Sequence, residues 1–157
     1  MDTNLTVSQI QIALLNCGMW NKRVDIMIPN LSYGLLDYEA DFCIISKSGY
    51  LTEVEIKRSW ADFIADFKKA HTHNDQRVYN FYWCLPISLM DKAKAFLIEK
   101  YGNAVPATLF YDESGNIKGG GGWASKGGRK LFIEEQLKVA KLCALRMWNL
   151  KEKYENS

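Results

Sequence analysis

"LTEVEIK", Leu51 to Lys57, decides how this chain is read. Short, β-branched and alternating in polarity, it predicts a strand. Side chains alternate along a strand, so Val54 and Ile56 leave one face while Glu53, Glu55 and Lys57 leave the other. By strand rise, Glu55 and Lys57 lie roughly 7 Å apart and can share a ligand. Glu53, about 13 Å from Lys57, is too far along the strand to share the same ion directly. Just upstream, "KSGY" reads as a tight turn and "EADFCIIS" (Glu39–Ser46) as another strand. The two should form a hairpin, so that the neighbouring strand can supply Asp41 as a further charged group beside Glu55 and Lys57. Periodicity alone leaves a second reading open, an ordinary solvent-facing sheet surface with alternating charges.

Outward from the hairpin, the elements follow from their punctuation. Thr6 or Ser8 caps a first helix running to about Asn16, with Val7, Ile10 and Leu14 on its buried side. "RVDIMIP" from Arg23 is a short strand ended by the turn signal Pro29-Asn30. Beyond Lys57, Ser59 and Asp62 have capping-box spacing, and Trp60, Phe63, Ile64 and Phe67 recur at helical intervals. "VYNFYWCLP" from Val78 is strongly β-type. "SLMDKAKAFLIEKYG" is an amphipathic helix closed by Gly102. "ATLFYDESGNI" gives a strand and a turn, and a long amphipathic helix spans residues 131–153. The order is helix, three strands, helix, strand, helix, strand, helix. A strand, crossover helix and further strand add a parallel element to the opening hairpin, so the fold class is α/β with a mixed central sheet flanked by helices.

The 157 residues suit one domain over 1–157 with a real core. Nearly half are apolar, with five Trp, eight Tyr and seven Phe, which argues against wholesale disorder. A net charge of +2 does not by itself indicate nucleic acid. Cys17, Cys43, Cys84 and Cys143 are widely spaced in apolar surroundings and read as reduced core residues. No basic segment precedes a long apolar run, and no stretch reaches the ~18 apolar residues of a membrane span. A cytoplasmic protein without membrane partners is expected.

An Asp and a Glu on adjacent strands can hold a hard divalent cation such as Mg²⁺ through oxygen, with the Ile56 carbonyl within reach as a further ligand. A nearby Lys can orient a metal-bound water or offset charge on a pentavalent phosphate. These are the parts required to hydrolyse a phosphodiester.

"EADFCIIS" followed by "TEVEIKRS" resembles the D…(D/E)xK signature of the PD-(D/E)xK nuclease superfamily. The continuation "KRSWADFIADFKK" is similar to the corresponding segment of MmcB-like DNA-repair proteins and their phage-encoded relatives. The resemblance covers roughly Thr6 to Pro86. It implies a restriction-endonuclease-like core and a Mg²⁺- or Mn²⁺-dependent nuclease acting on DNA, in repair or processing. Carried over, Asp41 is the motif aspartate, Glu55 the acid and Lys57 the lysine of the triplet, with Asp41, Glu55 and Ile56 as metal ligands. The family often adds an acid from the first helix, where this chain has Gln9 and Gln11, and Ala40 stands before Asp41 in place of proline. The missing acid motivates the alternative of a catalytically inactive nucleic-acid-binding module. A homodimer is compatible with duplex cleavage, although no stretch marks a dimer surface.

Arg58, Lys68, Lys69, His71, His73 and Arg77 flank the helix after the signature. They either line a groove for phosphates or form a solvated helix end. His71 and His73, one residue apart, either form a metal pair or, as expected, face solvent. Asp62 and Asp66 lie on one side of a helix and either approach the active face or, as expected, serve as a cap and a surface charge. The glycine-rich basic segment 118–130 carries Trp123, Lys126 and Arg129. It either wraps nucleic acid, with Trp123 stacking on a base, or is a mobile loop. It lacks the GxxxxGK[ST] spacing of a phosphate-binding loop.

Overall fold

The computed structural model describes residues 3–32, 35–69 and 75–157. Among these, one six-stranded mixed sheet is flanked by four α-helices. The chain runs α1 (Val7–Asn16), β1 (Ile26–Leu31), β2 (Ala40–Ile45), β3 (Leu51–Ile56), α2 (Trp60–Asp66) and β4 (Val78–Pro86). A single 3-10 turn (Ile87–Leu89) then leads into α3 (Met90–Tyr101), β5 (Ala107–Tyr111), β6 (Ile117–Gly121) and α4 (Ile133–Glu155). Strand order in space equals order in sequence. β1, β2 and β3 pair antiparallel, β3, β4 and β5 pair parallel, and β6 returns antiparallel to β5.

Local chemistry sets the element ends. Thr6 and Gln9 close a reciprocal capping box on α1, with Gln9 N–H donating to Thr6 Oγ1 at 3.2 Å and Thr6 N–H to Gln9 Oε1 at 2.8 Å. Ser59 caps α2 by accepting from Asp62 N–H at 3.1 Å. Gly102 ends α3 with φ of 58°, where a side chain would be strained. β1 continues through Pro29 to Leu31 instead of ending at the Pro-Asn pair. It is the outer strand, so a residue without an N–H is tolerated there.

Each face of the sheet has its own core. Ile10 and Leu14 of α1 pack on Phe42, Ile44, Val54, Ile56, Leu109 and Tyr111. On the opposite face, Phe63 of α2, Ala93 and Leu97 of α3 and Val139 of α4 cover Ile28, Cys43, Ile45, Phe81, Trp83 and Phe110. α4 reaches the outer strand, where the Arg146 guanidinium donates to the carbonyls of Pro29 and Asn30. All four cysteines are free thiols, with Cys43 and Cys84 fully buried.

The segment 118–130 is built differently from a mobile loop. Its first residues complete β6, and the rest form a strap along the near half of β4. Phe81 N–H donates to Ala124 C=O at 2.9 Å, Lys126 N–H to Tyr79 C=O at 2.7 Å, and Arg129 N–H to Gln76 C=O at 2.7 Å. Glycine is required where this strap touches other backbone: a Cβ on Gly128 would lie 2.1 Å from the Val78 carbonyl oxygen. The helix expected over 131–153 is Ile133–Glu155.

Candidate active site at the end of the central strand

β3 is buried along its whole length, so its charged face is no solvent-facing surface. Glu53 is 0% exposed, Glu55 6% and Lys57 3%. Their surroundings are the sheet's second face together with α2, which follows Lys57 after two residues. Such groups survive burial only when paired.

Lys57 is the hub. Its Nζ lies 2.8 Å from Glu55 Oε1 and 3.1 Å from Asp66 Oδ1. Lys69, exposed just beyond the end of α2, contacts the same Asp66 oxygen at 2.5 Å. Two acidic and two basic side chains therefore run from the surface to the end of β3. Desolvation pulls the Lys57 ammonium down, but Glu55 and then Asp66 outweigh it, and Lys57 titrates above an ordinary lysine. Its main chain is also pinned: the N–H donates to Cys84 C=O at 2.8 Å, and the C=O accepts from Tyr111 Oη at 3.1 Å. Trp83, the β4 neighbour of Glu55, places its ring centroid 5.7 Å from Lys57 Nζ. Phe63, Phe67 and Phe81 pack around that indole with centroids 5.3, 5.4 and 4.9 Å away. The ion pairs thus lie against an aromatic wall.

Asp41 approaches from β2. The β2–β3 ladder stops at Phe42 opposite Val54, and continuing its register puts Asp41 across from Glu55. The Asp41 carboxylate finishes the ladder with its side chain, Oδ2 accepting from Ile56 N–H at 2.8 Å. Because Lys57 N–H turns toward β4, the N–H and C=O of Ile56 turn the other way, toward Asp41. Burial raises the Asp41 carboxyl above its ordinary value; Ile56 N–H and Lys57 oppose that, while Asp62 and Glu39 add to it. Gln11 of α1 is buried and donates to Asp41 C=O at 2.7 Å and to Asn30 Oδ1 at 3.0 Å. A carboxylate could not make those two donations, so the amide here fastens Asp41's strand to the first helix. Gln9 is spent on the helix cap.

Glu53 belongs to a neighbouring cluster. It accepts from Tyr38 Oη at 2.6 Å, and burial followed by this carboxylate pushes the Tyr38 phenol up. Lys126 of the strap lies over the Phe81 ring at 5.0 Å; desolvation lowers its ammonium, with Glu53 opposing.

The structure brings Glu55 and Lys57 together and sets Asp41 at the same corner. Of the two readings of Asp66, it overturns the expected surface charge in favour of approach to the charged end of β3, since the side chain is only 2% exposed and engages Lys57. Asp62 is a cap residue as expected, its carboxylate accepting from Arg58 N–H at 3.3 Å. The sequence did carry a signal for Asp66: it falls three and seven positions after Phe63 and Ser59, on the turn that returns to the sheet. Of the basic residues, Arg58 and Lys68 are exposed, and Lys69 is engaged by Asp66. Arg77 is clasped by Asp75, and Arg129 by Glu135 through two short contacts at 2.6 and 2.8 Å. Trp123 stands 73% exposed, yet its backbone is held on both sides, donating to Val105 C=O at 2.7 Å and accepting from Ala107 N–H at 3.1 Å. His71 and His73 lie outside the described residues. Among the described residues, no group of three or more His, Cys, Asp or Glu side chains gathers to hold a metal. No described helix is long and apolar enough to cross a membrane.

No family model and no curated protein matches the chain. A solved structure is similar, the "SPO1766 protein of unknown function" from Silicibacter pomeroyi, with a TM-score of 0.62 at 16% identity over 96% of this chain and 95% of that one. At that identity the likeness establishes a shared architecture.

Proposed function

We propose that this protein is a metal-dependent nuclease with a restriction-endonuclease-like core, hydrolysing DNA phosphodiester bonds in repair or processing. The observation that carries the reading is the corner formed by Asp41, Glu55 and Lys57, with Asp41 bonded to Ile56 N–H at 2.8 Å and Lys57 to Glu55 at 2.8 Å.

The donor set fits a hard cation. Asp41, Glu55 and the Ile56 carbonyl offer only oxygen, and Mg²⁺ is commonly bound by one or two carboxylates with waters completing its shell. The raised carboxyl of Asp41, with Asp62 and Glu39 in its field, marks a site where positive charge would be welcome. When bound, Mg²⁺ or Mn²⁺ would polarise the phosphoryl oxygen and lower the pKa of its water.

The remaining work falls to the chain. Asp41 keeps the end of β2 docked on Ile56, beside the end of β3 that carries Glu55 and Lys57. Lys57 carries the ammonium that orients an attacking water and offsets charge gathering on phosphorus. The aromatic wall around Trp83 keeps that charge in a medium where it acts strongly. Exposed Arg58 and Lys68 are suited to phosphate contacts, and Trp123 to stacking. Arg77, Lys69 and Arg129 would have to leave carboxylates to contribute.

One observation favours a second reading, a DNA-binding module of the same fold without hydrolysis: Gln11 stands near Asp41 with no carboxylate to give. Purified protein incubated with plasmid, single-stranded and branched DNA across a Mg²⁺ and Mn²⁺ series separates the two. Cation-dependent cleavage that falls by about 10² or more in Asp41→Asn and Lys57→Ala is the expected result. DNA retention without cleavage selects the binding module, and the absence of both overturns the proposal.

A further inference from the structure

We infer that Asp66 is a positioning residue, the second anchor that keeps the Lys57 ammonium in place when Glu55 turns to a cation. This rests on the reading of Glu55 as a metal ligand given above, and extends it to a residue outside the signature.

Glu55 has two claims upon it. Its Oε1 holds Lys57 at 2.8 Å. A divalent ion drawn to the same carboxylate would weaken that hold and repel the ammonium as a like charge. A lysine on a four-carbon stem then needs another anion if it is to stay beside the reacting phosphate. Asp66 meets this need from a separate element. Its carboxylate is 3.1 Å from Lys57 Nζ, and it is carried by α2, not by the strand that bears Glu55.

α2 is itself fixed. Ser59 caps its start, and Phe63 and Phe67 pack on Trp83 at 5.3 and 5.4 Å. Lys69 supplies a second cation to Asp66, so the carboxylate stays compensated however Lys57 shifts. Burying a carboxylate in order to neutralise a lysine that already has Glu55 is costly. It makes sense if Lys57 must keep a partner after Glu55 is withdrawn.

The test is acetylation of Lys57 in the full-length protein without DNA, quantified by mass spectrometry with and without Mn²⁺. In Glu55→Gln, which removes the charge claimed by the metal, Lys57 should stay within about twofold of the wild-type protection, because Asp66 still holds it. In Asp66→Asn, Mn²⁺ should raise Lys57 labelling by about tenfold, and Asp66→Glu should restore protection. Lys57 exposed in Glu55→Gln, or still protected in Asp66→Asn with Mn²⁺ bound, overturns the inference. A thermal-shift titration reports separately on the metal: no Mn²⁺-induced shift in the wild-type protein counts against the metal reading, while the Glu55→Gln labelling still decides Asp66.

Discussion

The two faces of β3 are equally buried and chemically opposite. Val54 and Ile56 meet Ile10 and Leu14 of α1 in an aliphatic layer. Glu53, Glu55 and then Lys57 meet Tyr38 and Asp66 in a charged layer backed by aromatic rings. The difference teaches that burial here does not select for apolarity. The aliphatic face gains stability residue by residue through area removed from water. The charged face depends on mutual compensation, because removing one charge leaves its buried neighbours less balanced where water cannot replace it.

The sharpest way to break the comparison is to strand those charges. Lys57→Ala removes the cation that Glu55 and Asp66 share, with Lys69 remaining on Asp66, and should cost about 3–5 kcal/mol in urea unfolding. Replacing the whole set, as Glu55→Leu, Lys57→Met and Asp66→Leu together, should reverse the sign. Apolar groups of similar volume commonly match or exceed a buried ion set by about 1–4 kcal/mol, so this triple variant should unfold at or above the wild-type urea midpoint while losing any cleavage. A marked loss of stability in the triple variant would show that the charged layer is structural. On the aliphatic face, Ile56→Val should cost only about 0.5–1.5 kcal/mol by the same measurement.

The smallest effect concerns Asp41, and its sign follows from its raised carboxyl. A carboxyl raised in the fold supports folding below the ordinary aspartate pKa of about 3.9, and that support is lost as pH rises through the folded value. Asp41→Asn retains an oxygen acceptor for Ile56 N–H but no charge. At neutral pH without divalent cation it should unfold at a slightly higher midpoint than the wild type, by less than about 1 kcal/mol. The gap should close toward pH ~4, where the wild-type carboxyl is protonated as well. Mg²⁺ should narrow it from the other side by stabilising the wild type alone.

Much of this was legible in "EADFCIIS" and "LTEVEIK". The two-residue period assigned Val54 and Ile56 to one side and Glu53, Glu55 and Lys57 to the other, and the ladder Phe42–Val54 through Ile45–Leu51 is the expected hairpin. Caps at Thr6, Ser59 and Gly102 were legible because each depends on a few neighbouring residues. The strap was not, since glycine-rich composition is equally that of a free loop and of backbone packed closely on backbone. The backbone hydrogen bonds of residues 124–129 and the approach of Gly128 to Val78 distinguish the two.

By itself, then, the sequence determined periodicities, caps and the ordering of strands and helices apart from β6, all set by interactions within a few residues. The tertiary structure alone decided that the charged face of β3 is interior, that Asp66 closes on Lys57, and that Gln11 fastens the strand of Asp41. Each joins residues that are near in space because two helices dock on opposite sides of one sheet. That docking is driven by apolar area pooled across the whole chain, which no local pattern encodes.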